Sequence, residues 1–163
     1  MKCFWNKSKD QCGGTDEVHH VPRGRVLVVE DDRITSRLVS LILLREGYEV
    51  AAAGDGSEAL MEAKRFSPDV MILDLMLPSA EPGGGQFDGF GVLKWLSMRL
   101  SKPTPTIVLT CRQDEASRRL ADSLGVRRYL TKPFRAQDLI SAVHDLNDRE
   151  QPSTPPAPSP NPH

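Results

Sequence analysis

Cysteine and long apolar runs are both scarce in this 163-residue chain, and each shortage closes off a class of protein. The three cysteines, Cys3, Cys12 and Cys111, are odd in number and follow no framework spacing. That argues against a disulfide scaffold and fits a reducing compartment. Cys3 and Cys12, with His19 and His20, match no standard zinc-ligand pattern. No apolar run approaches the length that spans a bilayer. The start, MKCFWNKSKD, turns polar after Trp5, before any signal-peptide core can form. Cytoplasmic residence with no membrane partner is the expectation. Neither sign of charge dominates: 21 Lys and Arg against 22 Asp and Glu leave a formal charge of -1. The two signs are interspersed, so bulk charge points to neither nucleic acid nor an anionic membrane.

What is present is a strong alternating pattern between two unpatterned ends. Residues 1–24 show no sustained periodicity and read as a flexible leader. Residues 148–163 form a tail whose last part, QPSTPPAPSPNPH, is too rich in proline for helix or sheet. Between them, residues 25–147 read as one domain.

RVLVV (25–29) is β-branched and almost continuously apolar, as in a strand buried on both faces. From Arg33 to Glu46, Ile34, Leu38, Leu41 and Ile42 recur at helical spacing and are expected to face the core. Gly47 is expected to end that helix. YEVAAA (48–53) reads as a second strand. Asp55 then starts a helix, with Glu58 at capping-box spacing and Pro68 as its stop. VMILD (70–74), TIVLT (106–110) and RYLT (128–131) read as further strands. The intervening helices carry Phe90, Leu93, Leu96 and Leu100, then Ala116, Leu120 and Leu124, then Ala136, Leu139, Ile140 and Val143 on their inner faces. The pattern is (βα)5: an α/β, doubly wound, five-stranded parallel sheet of flavodoxin-like topology.

In such sheets the working site lies beyond the carboxyl ends of the strands. Those ends carry Glu30, Asp31 and Asp32, then Asp74, then Thr110, then Lys132. Taken singly, Asp74 could be a helix cap, Lys132 a surface lysine, Thr110 a strand residue and Tyr129 core-edge packing. Their company at one rim decides for function. Clustered carboxylates repel unless a cation settles them. Mg2+ commonly takes one or two carboxylates plus a phosphate, and Lys132 adds an ammonium. A metal, a lysine, a hydroxyl and an aspartate that can accept phosphate make a phosphoryl-transfer site.

The segments VLVVEDD, PDVMILDLMLP, IVLTCR and YLTKPF, in this order and spacing, resemble the receiver domain of two-component response regulators. The resemblance implies a phospho-accepting signalling domain. Asp74 matches the phosphoacceptor. Glu30 and Asp31 match the acidic pair that holds Mg2+, with Asp31 as the direct ligand, and the backbone carbonyl of Met76 matches a further ligand. Thr110 matches the hydroxyl that contacts the phosphoryl group, Tyr129 the aromatic switch, and Lys132, before Pro133, the family lysine. Asp32 falls outside the pair and is expected as a helix N-cap or a solvated residue. The implied partners are a histidine kinase or phosphotransfer protein upstream. Downstream, an unknown protein would read the face of helix four, strand five and helix five. The chain would catalyse only phosphoryl transfer to its own aspartate, with slow self-dephosphorylation, and would not otherwise be an enzyme. Met76 and Arg112 occupy variable positions flanking the site. An apolar Met cannot orient a water, so the phosphoryl bond should outlast that of chemotaxis-type receivers.

The motif flavour is that of receivers joined to winged-helix DNA-binding domains. Only the proline-rich tail follows the last helix, so the expectation is a stand-alone receiver with no direct DNA binding. Arg127 and Arg128 stand where such relatives carry acids, which speaks against the usual dimer and for a monomer or a weak phosphorylation-dependent dimer. Residues 79–87 enlarge the loop after Pro78, a tolerated surface insertion in preference to a partner-recognition loop. Cys111 stands where the family prefers a small residue and is expected to be an inert, at least half-buried thiol. Two other readings remain: a receiver-fold interaction module independent of phosphorylation, and a haloacid dehalogenase-type phosphatase. The latter wants a second Asp where Met76 stands.

Overall fold

The computed structural model describes residues 21–77, 89–100 and 104–150, with side chains through residue 148. The readings of residues 1–20, of Pro78 and the 79–87 insertion, and of the tail beyond residue 150 lie outside the described residues.

Five strands and five helices alternate: β1 (Arg25–Val29), α1 (Arg33–Arg45), β2 (Glu49–Ala53), α2 (Gly56–Phe66), β3 (Val70–Leu73), α3 (Gly89–Arg99), β4 (Thr106–Thr110), α4 (Glu115–Ser123), β5 (Arg128–Thr131) and α5 (Ala136–Glu150). The strands form one parallel sheet in the order β2-β1-β3-β4-β5. Chain direction across the sheet reverses between β1 and β3, and that switch point opens a crevice at the carboxyl ends.

Strands β1, β3 and β4 are buried almost throughout, because helices cover both faces and water reaches neither. On one face Val26, Val28, Ile72, Ile107 and Leu109 pack with Val39, Leu43, Leu139 and Val143 from α1 and α5. On the other, Leu27, Val29, Met71 and Leu73 pack with Ala59, Ala63, Val92, Leu93 and Leu96 from α2 and α3. Each fully buried Leu, Ile or Val adds about 1.5–3 kcal/mol over leaving it exposed.

The helix ends follow the expected chemistry. Asp55 accepts from the Glu58 N–H at 2.8 Å, and the Glu58 carboxylate returns to the Gly54 N–H at 2.8 Å. Gly47, just past α1, takes φ +86°, where a side chain would be strained. Ser67 closes α2 in the left-handed region, immediately before Pro68.

Two inner faces differ from expectation. In α1 the buried residues are Val39 and Leu43, with Ile42 partly buried beside them, while Ile34, Leu38 and Leu41 are 80%, 50% and 49% exposed. The segment RITSRLVSLILLR carries two apolar stripes, and periodicity cannot choose between them. The stripe that packs inward runs through Val39 and Leu43, which join Val26, Val28 and Leu139 in the core. In α4 the buried residues are Ser117 and Ala121, while Ala116 and Leu120 point outward. Here small residues take the inner face, and Asp114 satisfies the Ser117 hydroxyl at 2.9 Å. The other two inner faces hold, apart from an exposed Ala136.

Candidate functional site

The crevice at the β1/β3 switch point gathers the strand-end residues. β1 ends at Val29, so Glu30 and Asp31 emerge at its tip, and β3 ends at Leu73, so Asp74 emerges beside them. The backbone secures this junction: the Asp74 N–H donates to the Val29 carbonyl at 3.0 Å, and the Glu30 N–H to the Ala53 carbonyl at 2.9 Å. Glu30 and Asp74 are buried, at 5% and 4% exposure, and Asp31 is exposed. One carboxylate oxygen from each of Glu30, Asp31 and Asp74 lies within 4.8 Å of the others. Three hard oxygen donors at that spacing suit a divalent cation such as Mg2+.

Lys132 follows β5 and reaches in from the far side. Its Nζ lies 2.5 Å from Glu30 Oε2 and 2.6 Å from Asp74 Oδ2, and the Lys132–Pro133 peptide is cis. The electrostatics follow from burial and this bridge. Burial raises the Glu30 carboxyl above its ordinary value; the Lys132 bond opposes that rise, and the Asp74 charge adds to it. Burial works against the Lys132 charge, but the bonds to Asp74 and Glu30 outweigh it and hold the ammonium above the ordinary lysine value. Asp32 caps α1, its Oδ2 accepting from the Thr35 N–H at 2.9 Å and the Thr35 hydroxyl at 2.6 Å. Those bonds hold its carboxyl below the usual range.

Thr110 ends β4 fully buried, and its hydroxyl oxygen accepts from the Arg112 N–H at 3.4 Å. Tyr129, in β5, is half-buried and donates its hydroxyl to the Arg112 carbonyl at 3.0 Å. Its phenol is pushed up by burial and then by Asp114, against Arg118 and Arg112. Met76 donates its N–H to Asp74 Oδ1 at 2.9 Å, while its side chain is 53% exposed. Cys111 is exposed rather than half-buried. It lies just past the last residue of β4, where the chain leaves the sheet for α4.

Gly89, which opens α3, has a part that no motif in the sequence indicates. The Gly89 N–H donates to the Leu75 carbonyl at 3.0 Å. A Cβ on Gly89 would fall deep inside contact distance of the Asp74 carbonyl oxygen and the Leu75 Cα. The start of α3 therefore rests directly on the main chain that carries Asp74. The signal was a glycine opening a helix, a place where close backbone approach is a standing possibility.

Among the described residues, no helix is long and apolar enough to cross a membrane. A family model, the response regulator receiver domain, matches residues 26–144. The DNA-binding response regulator MtrA of Mycolicibacterium smegmatis is 34% identical over 121 residues, covering 74% of this chain and 49% of that relative. The transcriptional regulatory protein TrcR of Mycobacterium tuberculosis is 36% identical over 123 residues, 75% of this chain and 44% of the relative. Among solved structures, the Francisella response regulator 1452 receiver domain superposes with a TM-score of 0.69 at 30% identity, covering 78% of this chain and 99% of that one. The Vibrio cholerae chemotaxis protein CheY4 gives 0.66 at 31%, covering 75% and 97%.

The chain spans about half the length of the curated relatives it matches. This overturns the expectation of no direct DNA binding, and with it the inference that output must pass to a separate protein through α4, β5 and α5. That reasoning rested on the chain being too short for a DNA-binding domain. Relatives that are DNA-binding regulators by name are twice as long, and the length of a chain covering half of them excludes nothing. Fold, strand-end geometry and sequence similarity agree: the chain belongs to the response regulator receiver domain family.

Proposed function

We propose that Asp74 accepts a phosphoryl group from the phosphohistidine of a histidine kinase or phosphotransfer protein, forming an aspartyl phosphate that switches the domain's contacts. The observation that carries this reading is the Lys132 ammonium bonded at once to Glu30 and Asp74, with Asp31 within ligand distance of both. A carboxylate oxygen of Asp74 forms the new bond to phosphorus as the phosphorus–nitrogen bond breaks, and the imidazole leaves with a proton from solvent. Glu30, Asp31 and Asp74, with the Met76 carbonyl that the family resemblance implies, would hold Mg2+. When bound, that ion neutralises charge on the transferring phosphoryl group.

The chain's own groups do the rest. Lys132 Nζ already lies at Asp74 Oδ2 and pairs with a phosphoryl oxygen once that group arrives. Thr110 accepts from Arg112, so its proton remains to donate to another phosphoryl oxygen. Drawing Thr110 inward pulls on the Arg112 backbone, and through it on Tyr129. The exposed, apolar Met76 offers no hydrogen bond to a water, so hydrolysis is slow; a half-life of seconds in the isolated protein would contradict this. The chemistry stays on the chain's own aspartate, and the domain works in the cytoplasm.

Incubation with acetyl phosphate and Mg2+ tests the reading. The expected product is one hydroxylamine-labile phosphoryl group on the wild type and none on Asp74→Asn. An equal adduct on both proteins, or none on the wild type, refutes it.

A further inference from the structure

The guanidinium carbon of Arg118 lies 4.9 Å from the centroid of the Tyr129 ring. This is cation–π geometry, in which the ring's negative face attracts the charge. The same ring is held at its tip, where the hydroxyl donates to the Arg112 carbonyl at 3.0 Å. Arg112 is itself tied to the site, its N–H donating to the Thr110 hydroxyl oxygen at 3.4 Å. Thr110, the Arg112 backbone, Tyr129 and Arg118 therefore form one continuous chain of contacts leading away from the phosphoryl site.

Both ends of that chain stand on regular elements. Tyr129 is paired with Val108 in the sheet. Arg118 is on the first turns of α4, which Asp114 caps by accepting from the Ser117 N–H at 2.8 Å and which is seated through Ser117 and Ala121. A half-buried tyrosine between fixed elements is free to turn about its own side-chain bonds. Here one contact fixes the plane of the ring and the other fixes its hydroxyl.

We propose that Arg118 is a positioning residue: its guanidinium, stacked on the Tyr129 ring, holds the phenol against the Arg112 carbonyl and so sets the resting position of residues 110–114 beside Asp74. This goes beyond the proposed function, which gives Arg118 no part, and rests on that reading only where phosphorylation is measured. An exposed cation–π contact shifts a two-state equilibrium about two- to five-fold. Arg118 thus biases the Tyr129 position before any phosphoryl group arrives. Burial raises the phenol's titration most, Asp114 and Asp74 add to that rise, and Arg118 and Arg112 oppose it.

The test uses the full chain labelled with 3-fluorotyrosine, which carries only Tyr48 and Tyr129 as reporters. Arg118→Ala, Arg118→Lys and Arg119→Ala are compared with wild type; Arg119 is the neighbouring exposed arginine, paired with Glu115 at 3.2 Å. The expected result is a two- to five-fold population shift in the Tyr129 fluorine signal for Arg118→Ala, partial recovery in Arg118→Lys, and none in Arg119→Ala. The Tyr129 titration midpoint, read by absorbance, should rise in Arg118→Ala. Acetyl phosphate labelling should change by a similar factor in Arg118→Ala, and that change should vanish when Tyr129→Phe is also present. A Tyr129 signal untouched by Arg118→Ala, an equal effect of Arg119→Ala, or a labelling effect that persists in Tyr129→Phe overturns the proposal. If the wild type takes no label, the functional reading fails, and the fluorine measurement still decides this one.

Discussion

Replacing Lys132 by Met removes the one ammonium bonded to two buried carboxylates, at 2.5 Å from Glu30 and 2.6 Å from Asp74. Breaking a buried ion pair by deleting one partner costs about 3–5 kcal/mol, because the remaining charge is left unpaired. Here two carboxylates are left, and the Asp74 charge adds to the rise of Glu30. Glu30 is already held above its ordinary value by burial, with Lys132 pulling against that rise. Without Lys132 the carboxyl rises further, and each additional unit returns about 1.4 kcal/mol as the pH falls through the window. The sign follows from proton counting. The folded variant binds more protons than the unfolded chain between the unfolded and folded values of Glu30, so its stability falls as pH rises there. Lys132, whose folded value lies above its unfolded value, contributes stability to the wild type that is fully present below the unfolded lysine value. Urea unfolding followed by circular dichroism should therefore show a loss of about 3 kcal/mol or more for Lys132→Met at pH 8. That loss should shrink on acidification, and millimolar Mg2+ should offset part of it at pH 8. A loss that is independent of pH and indifferent to Mg2+ would show that the lysine does not compensate the acid cluster.

Three further outcomes follow from the same geometry. Glu30→Gln removes a carboxylate whose ionised form burial disfavours, so the urea midpoint at pH 7 should rise while calorimetric Mg2+ affinity falls. Gly89→Ala forces a Cβ against the main chain of Asp74 and Leu75; overpacking of this kind costs about 1–3 kcal/mol, and Mg2+ affinity and acetyl phosphate labelling should drop with it. Leu43→Ala should cost about 2–5 kcal/mol, while Ile34→Ser on the exposed stripe of the same helix should stay within about 0.5 kcal/mol. Thermal or urea melts of that pair check which face of α1 is inward.

Strands were legible because three of them are buried on both faces, which leaves an almost unbroken apolar run in the sequence, as in RVLVV and TIVLT. Strand-end chemistry was legible for a related reason. An acid directly after such a run has few places to go except the rim, and Glu30 and Asp74 meet there with Lys132, which follows the half-buried β5. Helix faces were harder. Ile34, Leu38 and Leu41 form as good a stripe as Val39 and Leu43, and periodicity alone does not say which one meets the sheet. Ser117 looks polar in sequence, yet it is buried because Asp114 bonds its hydroxyl. Gly89 shows a second limit: its role lies in a main-chain contact with Leu75, distant in sequence, and no pattern of side chains encodes that. The DNA-binding expectation failed for a different reason, since it was drawn from chain length rather than from any residue.

The proposed acceptor of the phosphoryl group is the Asp74 carboxylate. Borohydride reduction of the acetyl phosphate-treated protein converts an aspartyl phosphate to homoserine, which peptide mass spectrometry places in the sequence. Homoserine is expected at position 74 alone, formed with Mg2+ and lost on chelation. Homoserine at Asp31 or Asp32 instead, or no reduction product under conditions where the fold and Mg2+ binding are intact, would contradict it.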